Sequence, residues 1–201
     1  GHLSVTSANK LKLWDSSNAS LVGIGCPAAN TMAFYTADAG TERARIDSSG
    51  NLGIGLTPVA NNGILQLNSY ASVQAMMEKA TVSATAATGT INFDAATQAV
   101  LYYTTNSSGN WTINIRGSAS LTLNNMMQTG QSLTLAFMAT NGSTAYYQSA
   151  LTIDGTSVTP KWQGGTAPTS GNASAIDAYV LTVIKTGSAT FTVLASQTKF
   201  A

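Results

Sequence analysis

Tyr179-Val-Leu-Thr-Val-Ile-Lys185-Thr-Gly187-Ser-Ala-Thr-Phe191-Thr-Val-Leu-Ala195 decides the fold class of this chain. Tyr179, Leu181, Val183 and Lys185 alternate with Val180, Thr182 and Ile184, and Phe191, Val193 and Ala195 alternate with Thr192 and Leu194. A period of two puts alternate side chains on opposite faces, which is the pattern of a strand. Gly187-Ser188 between the runs suits a two-residue primed turn, whose twist matches the flanking strands. The stretch is therefore expected to be a β-hairpin.

The same reading extends upstream. Further strands are expected near 80–85, 90–94, 99–104, 111–116, 132–140 and 150–153, with Gly- or Asn-rich turns between them, such as 106–110. Two short stretches, 72–79 and 120–128, have room for two helical turns each, with strand or coil as alternatives. The fold class expected is all-β.

The first 60 residues differ in kind. Asp15-Ser-Ser-Asn-Ala-Ser-Leu21-Val-Gly23-Ile24-Gly25-Cys26-Pro27 recurs as Asp47-Ser-Ser-Gly-Asn-Leu52-Gly53-Ile54-Gly55-Leu56-Thr57-Pro58, each after an extended stretch at 10–14 or 42–46. The unit reads as a strand, an Asp-Ser-Ser turn, then a short strand ending in Gly-Ile-Gly. Asp and Ser side chains bond the backbone two residues on and so make the turn. Gly beside Ile lets backbones approach closely while one apolar side chain points inward.

Such a repeat is too lean to bury itself. The core side chains expected of each copy, such as Leu21, Val22 and Ile24 or Ile46, Leu52 and Ile54, contribute about 1.5–3 kcal/mol apiece. Ordering the backbone costs about 1–2 kcal/mol per residue over some thirty residues. The segment therefore needs partners: upstream repeats, the C-terminal domain or other copies of the chain. The expected division is a repeat segment 1–58, a linker 59–63 rich in Asn and Gly, and a C-terminal domain 64–201.

Composition narrows the function. Of 201 residues only 8% are charged, against roughly 25% in an ordinary soluble domain. Thr (28), Ser (22) and Asn (15) take the place of charge. A net charge of +1 without a basic cluster argues against nucleic acid, which is bound through Lys and Arg. Apolar runs fall far short of the ~20 residues that span a bilayer as a helix, so no membrane insertion is expected, and no signal-peptide pattern is visible. The lone Cys26 rules out an intrachain disulfide, and the only histidine is His2, so His-based nucleophile triads and His or paired-Cys zinc sites are excluded. The Gly-His start reads as a cloning scar or as the edge of a longer chain.

The carboxylates are Asp15, Asp38, Glu42, Asp47, Glu78, Asp94, Asp154 and Asp177. Asp15, Asp47 and Asp154 read as turn formers. Glu42 with Arg43 and Arg45 reads as a charged strand edge that discourages wrong pairing. Copies of Asp15 or Asp47 brought together by association of several chains would offer hard oxygens to a cation, but closing a turn explains them first. No catalytic residue, metal site or cofactor is therefore expected. The aromatic residues of the C-terminal half are the candidates for recognition. Trp162 in Lys-Trp-Gln-Gly-Gly is the best exposed-loop candidate, followed by Tyr146, Tyr147 and Tyr103. An exposed ring beside Asn and Thr suits a sugar, although core packing competes for each of them.

The stretch Thr41-Glu-Arg43-Ala-Arg45-Ile46-Asp47-Ser-Ser-Gly-Asn-Leu-Gly-Ile-Gly-Leu-Thr-Pro58 resembles the repeat of tail-fibre and related virion proteins of tailed bacteriophages, a motif that also occurs in bacterial surface proteins. The C-terminal half resembles a domain that ends many fibre-type proteins of marine and cyanobacterial phages. That likeness rests on Ile153-Asp154-Gly155, Lys161-Trp162-Gln-Gly-Gly165-Thr-Ala-Pro168, Gly171-Asn172, Ile176-Asp177-Ala-Tyr179 and the run from Phe191 to Lys199-Phe200-Ala201. The resemblance implies a homotrimeric fibre with a short repeat shaft, joined to the particle through an upstream virion attachment protein. Its tip is expected to be a β-sandwich, jelly-roll-like, that binds a host surface glycan or envelope protein. Localisation on the virion follows. Nothing after Pro58 resembles the self-cleaving chaperone domain that follows the repeat in many such fibres, so autoproteolysis is not expected. The alternatives are a capsid-bound fibre or head decoration protein, a host-polysaccharide depolymerase and, with least support, a bacterial adhesin.

Overall fold

The computed structural model describes residues 10–14, 21–36, 41–58, 65–67 and 74–201. The chain divides into two compact units, Gly1–Ala75 and Met76–Ala201.

The first unit is one six-stranded sheet. Its strands are β1 (Lys10–Trp14), β2 (Leu21–Gly25), β3 (Met32–Thr36), β4 (Thr41–Ile46), β5 (Leu52–Ile54) and β6 (Leu65–Leu67), ordered as in the chain. The first five form an antiparallel meander, and β6 lies parallel to β5. Each repeat supplies one hairpin, β1–β2 and β4–β5. In the second copy the Asp47 carboxylate makes the turn: it accepts from the Ser49 and Asn51 N–H groups and from Asn51 Nδ2, each at 2.9 Å. These bonds favour the charged form and hold the carboxyl below its ordinary pKa. Asp15, in the first copy, lies outside the described residues, as does Asp38.

Three expectations change here. Because β6 pairs with β5, the first sheet runs past the expected 59–63 linker, and the chain divides at Ala75. The charged stretch of β4 is no edge: β4 lies between β3 and β5, and Arg45 holds Glu42 with two bonds of 2.8 and 2.6 Å. Gly53 does permit a close approach, since a Cβ there would clash with the Leu56 carbonyl and meet the Pro58 ring at 2.9 Å. Its neighbour Ile54, however, does not point into a core. Ile24, Phe34, Ala44, Ile54 and Leu67 stand opposite one another across β2 to β6, with Met32, Ile46, Leu52 and Leu65 beside them. On this one face Ile24, Met32, Phe34, Ile46, Ile54, Leu65 and Leu67 are 37–59% exposed.

The second unit is a two-sheet sandwich. Its strands are β7 (Ala80–Ala86), β8 (Gly89–Asp94), β9 (Val100–Thr105), β10 (Trp111–Arg116), β11 (Ser132–Thr140), β12 (Gln148–Ile153), β13 (Thr156–Ser157), β14 (Lys161–Trp162), β15 (Ile176–Gly187) and β16 (Thr190–Phe200). One sheet has the order β14-β16-β15-β11-β9-β7 and the other β13-β12-β10-β8. From β7 to β12 the chain alternates between the sheets, and successive strands within each sheet are parallel. This is a flattened coil of three turns, not the antiparallel Greek keys of a jelly roll. The hairpin β15–β16 closes the larger sheet, with β15 antiparallel to β11.

Alternation explains the core. Trp111, Ile113 and Ile115 of β10, Leu135, Phe137 and Ala139 of β11, and Tyr179, Leu181 and Val183 of β15 are buried between the sheets. The Trp111 ring lies 5.7 Å from Phe137 and 5.9 Å, edge-on, from Tyr179. The β15–β16 hairpin forms as expected, but its turn does not. Ala189, at φ 49, takes the left-handed conformation, and the ladder slips between Lys185 and Gly187. A primed turn led by Gly187 would need a positive φ at Gly187 itself.

Of the two possible helical stretches, 120–128 contributes a single turn, α1 (Leu123–Met126). Residues 74–79, the described part of the other, are neither helix nor strand. A helix of one turn leaves most of its polar ends unpaired, and the sandwich supplies partners. Thr122 caps the Asn125 N–H at 3.1 Å, and the Asp154 carboxylate accepts from Leu123 and Asn124 N–H at 2.7 and 3.0 Å. At the other end Lys185 Nζ, on a residue 7% exposed, donates to the Asn124 and Met127 carbonyls at 2.5 and 2.9 Å. Asp154 and Gly155, both at positive φ, also form the tight turn from β12 to β13, the turn role expected of Asp154.

Candidate functional site

The structure does not gather the four aromatic candidates into one place. Tyr103 is on β9, half-buried, with its ring 5.6 Å from Phe137, and burial pushes its phenol pKa up. Tyr146 and Tyr147 are half-buried in the segment between β11 and β12. The Tyr147 N–H donates to Asn110 Oδ1 at 3.1 Å, and the Tyr146 carbonyl accepts from Asn141 Nδ2 at 2.9 Å. That segment is anchored by Asp177, which is wholly buried. The Asp177 carboxylate accepts from Asn141 Nδ2 (3.1 Å), the Asn172 N–H (2.9 Å) and Asn172 Nδ2 (2.6 Å). Gly171 sits so close to the group that a Cβ would clash with the Tyr146 carbonyl.

Trp162 lies in β14 rather than in an exposed loop. Its strand pairs with β16, Trp162 opposite Ala195, and its ring stands edge-on to Tyr179 at 6.4 Å. The residue is half-buried and lines a cleft of about 300 Å³. The wall of the cleft is Leu151, Val158, Pro160, Trp162 and Pro168, with Gln148 among them. None of its lining residues is charged. None of the three tyrosines lines it.

Gln148 is the residue that sequence reasoning passed over. It is 2% exposed, yet neither Oε1 nor Nε2 of its side chain has a hydrogen-bond partner. Its backbone N–H donates to the Tyr179 hydroxyl at 3.3 Å. Trp111, its cross-strand partner, is 1% exposed and its Nε1–H is also unpaired. Burial drives the Tyr179 phenol well above its ordinary pKa, so the hydroxyl beside Gln148 stays protonated. Gln is usually exposed, and nothing in Tyr146-Tyr147-Gln148-Ser149 marks it as the buried one.

The described carboxylates, the exposed Glu78 aside, are taken up by turns, caps and pairs. Asp94 accepts from Arg116 at 2.6 Å and thereby raises the guanidinium pKa further. Among the described residues no group of three or more His, Cys, Asp or Glu side chains is placed to hold a metal ion, and no helix is long and apolar enough to cross a membrane. What the described surfaces present is apolar faces and neutral hydrogen-bonding groups, as on the first sheet and in the cleft at Trp162. Comparison with protein-family models, curated proteins and solved structures finds no match to this chain.

Proposed function

We propose that the chain is a fibre-type structural protein of a phage virion, homotrimeric. In this reading the repeat unit forms the shaft and the C-terminal sandwich presents a polar, nearly uncharged surface to a host glycan or envelope protein. The observation that carries the proposal is the open apolar face of the first sheet. Seven large apolar side chains there are 37–59% exposed, and both repeats contribute the Ile of their Gly-Ile-Gly to it. Monomeric proteins rarely leave contiguous apolar surface of more than a few hundred Å² in water. A second and third copy of the same face would cover it, and further repeats upstream would lengthen it. The scarcity of charge fits this arrangement, because an unpaired charge is costly between interleaved chains. Attachment then works by multivalency: three weak sites on one particle bind tightly without new contacts.

Sedimentation or light scattering tests the assembly. A mass near three times 20.6 kDa is expected, and a monomer at micromolar concentration would sink the shaft reading. Fluorescently labelled protein should adhere to the surface of susceptible bacteria and release no oligosaccharide from their capsule. Release would replace the binding reading with a depolymerase.

A further inference from the structure

We infer that the cleft beside Trp162 is a binding site for a single neutral sugar ring, with the Gln148 amide as its polar floor. This names a ligand class for the binding unit of the proposed attachment protein, and in that sense it rests on that reading.

A buried amide without partners is destabilising relative to a paired one; Gln148 lines the cleft with its amide closed to solvent and its acceptor and donor both unused, so that turning the side chain toward the cleft would present both to a ligand. A group that is at once donor and acceptor satisfies both atoms, and adjacent hydroxyls of a sugar are such a group. The walls are complementary to the rest of the ring. The Trp162 indole, Pro160 and Pro168 are flat and apolar, as the C–H face of a pyranose is. The absence of charged residues from the lining selects against carboxylated or aminated sugars, whose charge would be desolvated without a counter-ion. A cleft of about 300 Å³ is at the small end for ligand sites, which suits one ring rather than a long chain.

The test is a titration of the 201-residue protein with methyl glucoside, galactoside and mannoside and with N-acetylglucosamine, with glucuronate and glucosamine as charged controls. Isotope-labelled protein is followed by NMR at the Gln148 side-chain amide and the Trp162 indole. At least one neutral glycoside is expected to shift both signals, and the charged controls to shift neither. Gln148→Leu is expected to weaken that binding at least about tenfold while leaving the melting temperature equal or higher, because it removes an unpaired polar group. Signals at Gln148 that stay still throughout the panel would overturn the inference, whether or not the variant folds. So would a Gln148→Leu protein that binds as before. A variant that melts lower and still binds would reassign the amide to a structural water and overturn it too. Cell adherence, measured in parallel, separates the two readings. Adherence without any effect at Gln148 removes the cleft and keeps attachment, whereas sugar binding at Gln148 without adherence keeps the cleft and removes attachment.

Discussion

The two units are made of the same kind of strand and end in opposite states. In the sandwich, each strand from β7 to β11 is followed by one in the opposite sheet, so every inward row meets another, and Phe93, Phe137, Ile113, Ile115 and Tyr179 are wholly buried. In the first unit the chain meanders within a single sheet. Its row Ile24, Phe34, Ala44, Ile54, Leu67 is as well registered as any in the sandwich, but Ile24, Phe34, Ile54 and Leu67 remain 37–45% exposed. The difference lies in connectivity rather than hydrophobicity: apolar alternation makes a face, and only the path of the chain decides whether a second face covers it.

Substitutions on the two faces should separate these roles most sharply. Phe137→Ala is expected to cost the sandwich about 3–5 kcal/mol, read as a lower denaturant midpoint in the fluorescence of buried Trp111. Phe34→Asp should leave that midpoint within about 0.5 kcal/mol and instead convert the sedimenting species to a monomer. Equal loss from both variants would mean that the first face is already covered within one chain.

Smaller effects sharpen the account of the sandwich alone. Lys185→Met removes the only side-chain donor to the Asn124 and Met127 carbonyls among the bonds described above, and a loss of about 1–3 kcal/mol is expected. Tyr179→Phe deprives the Gln148 N–H of its acceptor, at about 1 kcal/mol, and also changes the alkaline limb of stability. Unfolded tyrosine ionises near 10.0, whereas burial holds the native phenol protonated above that. The native state then binds more protons, so stability falls as pH rises past 10. Melts between pH 8 and 11 should show this fall in the parent and a shallower one in Tyr179→Phe, with the half-buried Tyr103 contributing a remainder. Finally, Ala189→Gly relieves a left-handed alanine and should raise stability by about 0.5–1 kcal/mol.

The all-β class, the hairpin of 179–195 and the repeat hairpins were legible because period-two alternation and turn residues are local. The winding of β7 to β12 was not, since alternation says which side of a strand is apolar and not which sheet the strand joins. Ile24 and Ile54 were read as core for the same reason. The turn at 188–189 escaped because its geometry is set from outside the hairpin: the Ala189 N–H donates to Asn124 Oδ1 at 2.7 Å, next to α1. Trp162 was marked for recognition by its type and neighbours and does line the cleft. Gln148 carried no such mark, because its interest comes from burial without a partner, which no composition reveals.

The coiled path of β7 to β12 has a consequence for how such a domain can change size. In both sheets each turn pairs only with the turn before and the turn after it, and the strand pairing of the closing hairpin with the coil is through β11 alone. Duplicating or deleting one whole turn would thus leave the cap and its neighbour intact. The unit is able to vary in length by a discrete module while keeping the same end.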